Sequence, residues 1–363
     1  MYIYGYVPEI KTGLAIPEHF SLCFMHSLDR RKFIFQSATA GIGLGLMNYL
    51  PALARPALTH AADGKRVGII GLDTSHAIAF AKALNAEQPN AVYDGYKVVA
   101  AYPYGSKDIE SSMKRIPGYI EEVKKMGVEI VGSIKELLGK TDVILLETND
   151  GRLHLEQALE VFKAGKRMFI DKPVAASLSD TLKIYEASKK YNIPIFTASS
   201  LRYIKGIESI DKKKVLGADT YSPAVLEKTH PDFFWYGIHG VETLYTVMGT
   251  GCKSVTRVNT PNTDIVVGIW GDGRTGTFRG TRTGKHDYGG TVFTEDGNKV
   301  LGPYGGYEPL LVDIIKYFKT GEVPVTPEET IEIFAFMEAA DESKRQGGKS
   351  VTLESVLAKA KKK

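Results

Sequence analysis

The chain has 363 residues, enough for about two domains at roughly 100–200 residues each and for a sizeable buried core. Its 43% apolar and 24% charged residues are ordinary for a globular protein, and a net charge of +4 is too small to argue for a nucleic-acid partner. It has 2 cysteines, Cys23 and Cys252; if the N-terminal segment is removed, Cys252 stands alone, which excludes an intramolecular disulfide framework and a multi-cysteine metal site. Cys252 reads as a small buried residue.

Residues 1–24 carry no usable periodicity, and Met25 stands just ahead of a targeting pattern. Translation is expected to begin there, with 1–24 a non-native extension. Arg30, Arg31 and Lys32 form a positive region, and Phe33–Leu50 is mostly apolar or small, without charge. Ala52-Leu53-Ala54 then fits a small-x-small cleavage pattern. The paired arginines, with Phe33 following, resemble a twin-arginine signal. The alternative is a membrane anchor, but Gln36, Gly41, Gly43 and Gly45 weaken the apolar run as a span. The expectation is a signal peptide over 25–54, export to the periplasm, and no membrane attachment after cleavage.

From Lys65 strands alternate with helices. Val67–Leu72, Tyr96–Tyr102, Val128–Val131, Asp142–Glu147, Met168–Ile170 and Ile193–Thr197 read as strands. Ala77–Asn85, Pro117–Met126 (with Pro117 in its first turn), Ile134–Leu138, Leu155–Ala164 and Leu178–Tyr191 read as helices. This order predicts an α/β domain over 65–200, a doubly wound parallel sheet of Rossmann type. The unbroken apolar run Val143–Leu146 suits a parallel strand buried on both faces. After residue 200, helix Gly237–Met248 precedes four short strands, Ser254–Val258, Ile265–Trp270, Gly276–Thr281 and Gly290–Phe293, separated by Gly, Asp and Asn turns. Helices at Pro309–Lys319 and Pro327–Lys344 follow. Residues 201–357 are thus expected to form an α+β domain with an open, mostly antiparallel sheet.

Three segments in this order carry a likeness: Val67-Gly68-Ile69-Ile70-Gly71, Asp171-Lys172-Pro173 after a strand, and Trp235-Tyr236-Gly237-Ile238-His239 at a helix start. Together they resemble the glucose-fructose oxidoreductase / inositol dehydrogenase / rhizopine-catabolism (Gfo/Idh/MocA) family, over roughly Lys65 to Leu357. The family usually has Glu-Lys-Pro at the second segment and Asp-x-Gly-x-His at the third. The resemblance implies a Rossmann domain beside a sheet domain, NAD or NADP, a sugar or polyol substrate and a homo-oligomer contact through the second sheet.

Hydride transfer from an alcohol needs a group to handle the hydroxyl proton while the cofactor performs the redox step. By resemblance Lys172 binds and polarises that hydroxyl; it stands at the carboxyl end of a parallel strand, where such sheets place ligands. His239 is the second catalytic candidate, as base or proton relay. Trp235 replaces the family's acid and cannot accept a proton, so the usual His–Asp pairing is in doubt. Tyr236 is a candidate relay, and Glu242 lies in helical reach to orient His239. His154, at a helix start, and Arg202, after the last parallel strand, are further substrate candidates; each also reads as structural, Arg202 as a partner to a carboxylate. Phe233 and Phe234 read as core.

The phosphate loop departs from G-x-G-x-x-G. Its six positions are Gly71, Leu72, Asp73, Thr74, Ser75 and His76, so only the first glycine is present. Asp73 brings a negative charge where backbone normally approaches pyrophosphate; it reads equally as a helix cap. Thr74, Ser75 and His76 remain candidate phosphate donors. The second strand has no acid at its end; Ser106 and Lys107 suit a 2′-phosphate, or are plain loop residues. Asp73, His76, Glu147, Asp150 and His154 gather on one sheet edge, but their spacing matches no metal signature, and no metal site is expected. The leading expectation is an NAD(P)-dependent oxidoreductase on a sugar or polyol hydroxyl. The alternatives are a glycoside-cleaving enzyme using NAD transiently, and a sugar-binding protein that has lost the cofactor.

Overall fold

The computed structural model describes residues 64–362. The expected extension and signal, residues 1–54, lie outside the described residues. Among those described, no helix is long and apolar enough to cross a membrane.

Strands β1 (Arg66–Ile70), β2 (Lys97–Tyr102), β3 (Glu129–Ile130), β4 (Val143–Leu146), β5 (Arg167–Asp171) and β6 (Phe196–Ala198) form one sheet. Their order is β3-β2-β1-β4-β5-β6, and every pair is parallel. Helices α1 (Ser75–Leu84), α2 (Glu110–Lys125), α3 (Ile134–Lys140), α4 (His154–Lys163) and α5 (Leu178–Tyr191) connect them. All of Val143–Leu146 is buried, as the apolar run predicts for a strand covered on both faces. The strand order reverses between β1 and β4, and the crevice beyond the carboxyl ends at such a switch point is where open α/β sheets take ligands.

The second sheet has seven strands: β7 (Val215–Pro223), β8 (Cys252–Asn259), β9 (Thr263–Trp270), β10 (Thr275–Thr281), β11 (Gly289–Thr294), β12 (Gly297–Leu301) and β13 (Val351–Thr352). Its order is β12-β11-β7-β10-β9-β8-β13; only β7 and β10 run parallel. Helix α6 (Ile238–Met248) is buried at every residue and packs on β7 and β10. Helix α8 (Pro327–Arg345) covers β8, and α9 (Leu353–Ala360) packs against it. One apolar cluster runs from Ile144 and Ile170 of the first sheet to Leu244, Trp270 and Phe336 of the second half, so the two sheets share a core.

Three features differ from the sequence reading. Pro117 lies inside α2, not in its first turn. The helix begins earlier because the Ser106 hydroxyl takes the Ile109 N–H, and the carbonyl that Pro117 leaves unpaired belongs to exposed Met113. Strand β7 was not foreseen: Gly217, Asp219 and Pro223 disguise it, and Gly217 is required because a Cβ there would lie 2.8 Å from the Thr275 carbonyl oxygen. Helix α7 (Glu308–Thr320) belongs with the first sheet, packing Leu310, Ile314 and Phe318 into the core of β1, β4 and β5. Residues 201–357 are therefore not one contiguous packing unit. Phe233 and Phe234 are core residues, and Cys252 is a buried free thiol whose burial pushes it up to about 12.

A buried cation ties the second half together. Arg257 on β8 donates from Nε to Asp264 on β9 (2.8 Å), from Nη1 to Asp341 on α8 (2.6 Å) and from Nη2 to Asp232 (2.6 Å). Its guanidinium lies 4.1 Å from the Phe233 ring centroid. Removing one member of a buried ionic group leaves its partners uncompensated. Arg257→Met is predicted to lower stability by about 3–5 kcal/mol in urea unfolding, whereas a loss under about 1 kcal/mol would mean that the arginine is dispensable.

Candidate active site

The β1–α1 turn begins at Gly71 with φ +90°, and a Cβ there would lie 2.5 Å from the Thr148 backbone. Only glycine accepts both constraints. The N–H groups of Gly71 and Leu72 bond to the carbonyls of Tyr102 and Pro103, so neither is free for a ligand. Thr74 caps α1, accepting the Ala77 N–H at 3.3 Å; the alternative that Asp73 caps it is not what the chain adopts. Asp73 instead accepts the Asn149 N–H at 2.9 Å. Its second oxygen packs against Gly105, where a Cβ would fall 2.2 Å away. Asp73 thus joins the loops after β2 and β4. Burial pushes its carboxyl up to about 6, against the Asn149 N–H.

Lys172 and His239 meet on one cavity of about 150 Å³. Lys172 arrives directly after β5, and His239 from the first turn of α6. His76, Ser75, Thr74 and Tyr236 also reach this wall. An adjoining cavity of about 340 Å³ shares Lys172 and Tyr236 with it and adds Trp235. The His239 Nδ1 lies 2.6 Å from Ser199 Oγ, which fixes the ring and leaves Nε2 for the cavity. Burial, reinforced by the charge of Lys172, holds His239 well below the usual histidine range, so it is neutral at pH 7. Tyr236 and Tyr288 hydroxyls lie 2.9 Å apart, and Tyr304 reaches Ser200 at 2.9 Å. Burial raises the Tyr288 and Tyr304 phenols, which stay protonated and able to donate.

Three expected substrate residues lie in the supporting network instead. Glu242 makes no hydrogen bond to His239; its Oε2 accepts the Ser199 N–H at 2.6 Å, so it holds the residue that holds the ring. Burial raises Glu242 to about 7, opposed by Arg202. Arg202 is buried against Glu329 and donates to Thr246 Oγ1 at 3.1 Å, which is the carboxylate-pairing alternative. His154 is wholly buried, with Nε2 2.6 Å from the Thr148 carbonyl and Nδ1 3.3 Å from that of Val174. It clamps the loop after β4 to the one carrying Lys172.

On the other side of Asp73 lies a cavity of about 550 Å³, walled by Tyr102–Asp108 and by the start of α4. Lys107 lines it, exposed. Ser106 is buried and donates to Asp108 at 2.8 Å, the loop role rather than a ligand role. Among the residues the sequence did not single out, Arg115 and Asn149 line both smaller cavities, and Tyr288, Tyr304 and Tyr307 wall the Lys172 side. Arg115 Nη1 also donates to the Asp73 carbonyl at 3.2 Å.

The weakened acidity of Asp73 has a measurable consequence. The folded state keeps a proton that the unfolded chain releases near pH 4. The stability this contributes is full below about pH 4 and is lost as pH rises through about 6. In urea unfolding, Asp73→Asn is predicted to gain stability relative to wild type between about pH 4 and pH 6. A constant difference across that range would show that Asp73 ionises as in the unfolded chain.

Residues 65–198 match the Gfo/Idh/MocA family model, described as an oxidoreductase family with an NAD-binding Rossmann fold. An uncharacterized oxidoreductase of Streptococcus pneumoniae is 21% identical over 178 residues, 44% of this chain and 48% of the relative, so the match spans about half that relative's length. The fold is shared with a probable dehydrogenase of Thermotoga maritima (TM-score 0.63, 21% identity, 80% of this chain and 99% of that one). It is shared too with scyllo-inositol dehydrogenase of Lactobacillus casei, solved with NAD(H) and scyllo-inositol (TM-score 0.64, 15% identity, 80% and 99%). The parallel six-stranded domain therefore matches the model of an NAD-binding oxidoreductase family, and the described chain shares the two-sheet fold of these dehydrogenase structures.

Proposed function

We propose that this protein is an NAD-dependent oxidoreductase that removes hydride from, or returns it to, a carbon bearing a hydroxyl on a sugar or polyol. The observation that carries this reading is the meeting of Lys172 with a buried, neutral His239 on one small polar cavity ringed by tyrosine hydroxyls. The L. casei neighbours solved with inositols and NAD(H) support the substrate class.

The residues suit a dinucleotide at both ends of its run. The cavity of about 550 Å³ beside β2 accommodates an adenosine, and no acid stands in the first turn of α1, whose N–H groups favour an anion. Arg115 adds a cation beside that turn. Asp73 stands between the two ends, and its charge opposes the pyrophosphate. With Ser106 committed to Asp108, only Lys107 is left to favour a 2′-phosphate, which supports NAD over NADP. Bound NAD supplies the hydride acceptor.

The chain's own groups do the rest. Lys172 hydrogen-bonds the reacting oxygen and stabilises its developing negative charge. The His239 Nε2 takes the hydroxyl proton in the tautomer whose Nδ1–H donates to Ser199 Oγ. The Tyr236, Tyr288 and Tyr304 hydroxyls bind the other substrate hydroxyls. A second reading, a sugar-binding protein without redox activity, is supported by the Asp73 bridge alone. The Arg30-Arg31 pattern supports action in the periplasm. The outer face of the second sheet exposes Leu216, Tyr221, Val258, Ile269 and Val300, which supports self-association through that face.

Two outcomes follow. Lys172→Met is predicted to lower kcat about 10²–10⁴-fold in polyol oxidation monitored by NADH absorbance, with NAD affinity unchanged by calorimetry; unchanged kcat would remove Lys172 from the chemistry. NAD affinity is predicted to fall roughly fivefold as pH rises from about 5 to about 8, because Asp73 acquires its charge and a like charge at a few ångströms costs about 1 kcal/mol. Asp73→Asn should flatten that dependence, and a pH-independent wild type would contradict it.

A further inference from the structure

His76, Glu147 and Asp171 converge beside the Lys172 cavity. They come from the first turn of α1, the residue after β4 and the last residue of β5. The register that aligns Ile70 with Leu146, and Leu146 with Ile170, brings these positions together although 95 residues separate the outer two (171 − 76). One donor atom from each lies within 4.8 Å of the others.

Glu147 is wholly buried, and neither of its carboxylate oxygens meets a hydrogen-bond donor. Both Asp171 oxygens are also without a hydrogen bond. The His76 Nδ1 lies 2.9 Å from Asp171 Oδ2, yet out of line for a hydrogen bond. The Lys172 Nζ stands 3.9 Å from Asp171 Oδ2, too far to donate. Buried polar atoms are almost always satisfied, and one left bare costs about 1–3 kcal/mol. Here four carboxylate oxygens and one ring nitrogen lack a hydrogen bond, and once deprotonated His76, Glu147 and Asp171 each offer one ligand atom to a common point. A shared cation satisfies such a set. One imidazole and two carboxylates suit a first-row divalent ion with a position left open.

We propose that His76, Glu147 and Asp171 bind one divalent transition-metal ion of the zinc or manganese class, with its open position toward the cavity shared by Lys172 and His239. His76 is the ligand that reaches the cavity wall. An ion there acts as a Lewis acid on an oxygen held by Lys172. This revises the expectation of no metal site, and it goes beyond the nucleotide reading, on which it does not depend.

The full chain is purified without chelator and its metal content is measured by mass spectrometry. After treatment with chelator it is titrated with Zn²⁺ and, separately, Mn²⁺, by calorimetry and by Tm. The expected result is about one ion per chain with a Tm rise of several degrees for at least one ion. Both should be lost in His76→Ala and in Glu147→Gln, with circular dichroism unchanged. Should Glu147→Gln fail to fold, His76→Ala decides alone. Two results would overturn the proposal: no ion bound and no Tm shift with either metal, in which case a proton held by Glu147 satisfies the cluster, or full binding retained by His76→Ala.

Discussion

The parallel strands β1, β4 and β5 must end side by side, covered on both faces, and the site depends on that constraint. Whatever follows those strands is drawn to one edge and cut off from water. The sequence places Asp73, Glu147, Asp171 and Lys172 there. Burial and neighbouring charges then set the acidity of the three carboxyl groups. Glu147 is driven well above the usual carboxylate range by burial and by the Asp171 charge. Asp171, equally buried, is nevertheless held down to about 2 by His76 and Lys172. Two carboxyl groups on adjacent strands are thereby pushed apart in acidity, as happens where such groups have distinct tasks.

The second half of the chain completes the edge rather than forming a separate site. Helix α6 carries His239 in from the antiparallel sheet, and Ser199, just beyond β6, receives it. Ser199 is the joint between the halves: its N–H goes to Glu242, and its hydroxyl meets both His239 and the Leu201 N–H. Tyr304 and Tyr307 arrive from the segment that leads into α7, itself packed on the first sheet. The cavity wall is thus assembled from eight separate stretches of chain, and its small volume follows from that crowding.

What could be read from the sequence followed from local pattern. The apolar run of β4 and the helix α5 announce themselves within a few residues. Lys172 and His239 came instead from the resemblance of Asp171-Lys172-Pro173 and Trp235–His239 to family motifs, with Lys172 marked as well by its place at the carboxyl end of a parallel strand. The role of Glu242 was not legible, because helical spacing places it near His239 but cannot show that Ser199 intervenes. Arg115 was hidden for another reason: α2 carries it across the phosphate turn from a helix whose first two turns read as polar loop. The His76–Glu147–Asp171 cluster depends on strand register, which no spacing rule in a single sequence supplies.

The departure at Asp73 bears most directly on whether this fold works as a dehydrogenase. The carboxyl lies between two cavities that share no wall residue, and it holds the loops after β2 and β4 together. A dinucleotide must pass over it. The decisive measurement is the nucleotide content of the purified protein, released by denaturation and identified by mass and absorbance, together with NAD titration of the nucleotide-free form. The account predicts NAD either released in stoichiometric amount or bound saturably at one per chain. No released nucleotide and no binding at millimolar NAD would contradict it, and would leave the cavity of Lys172 and His239 as a binding site without redox chemistry.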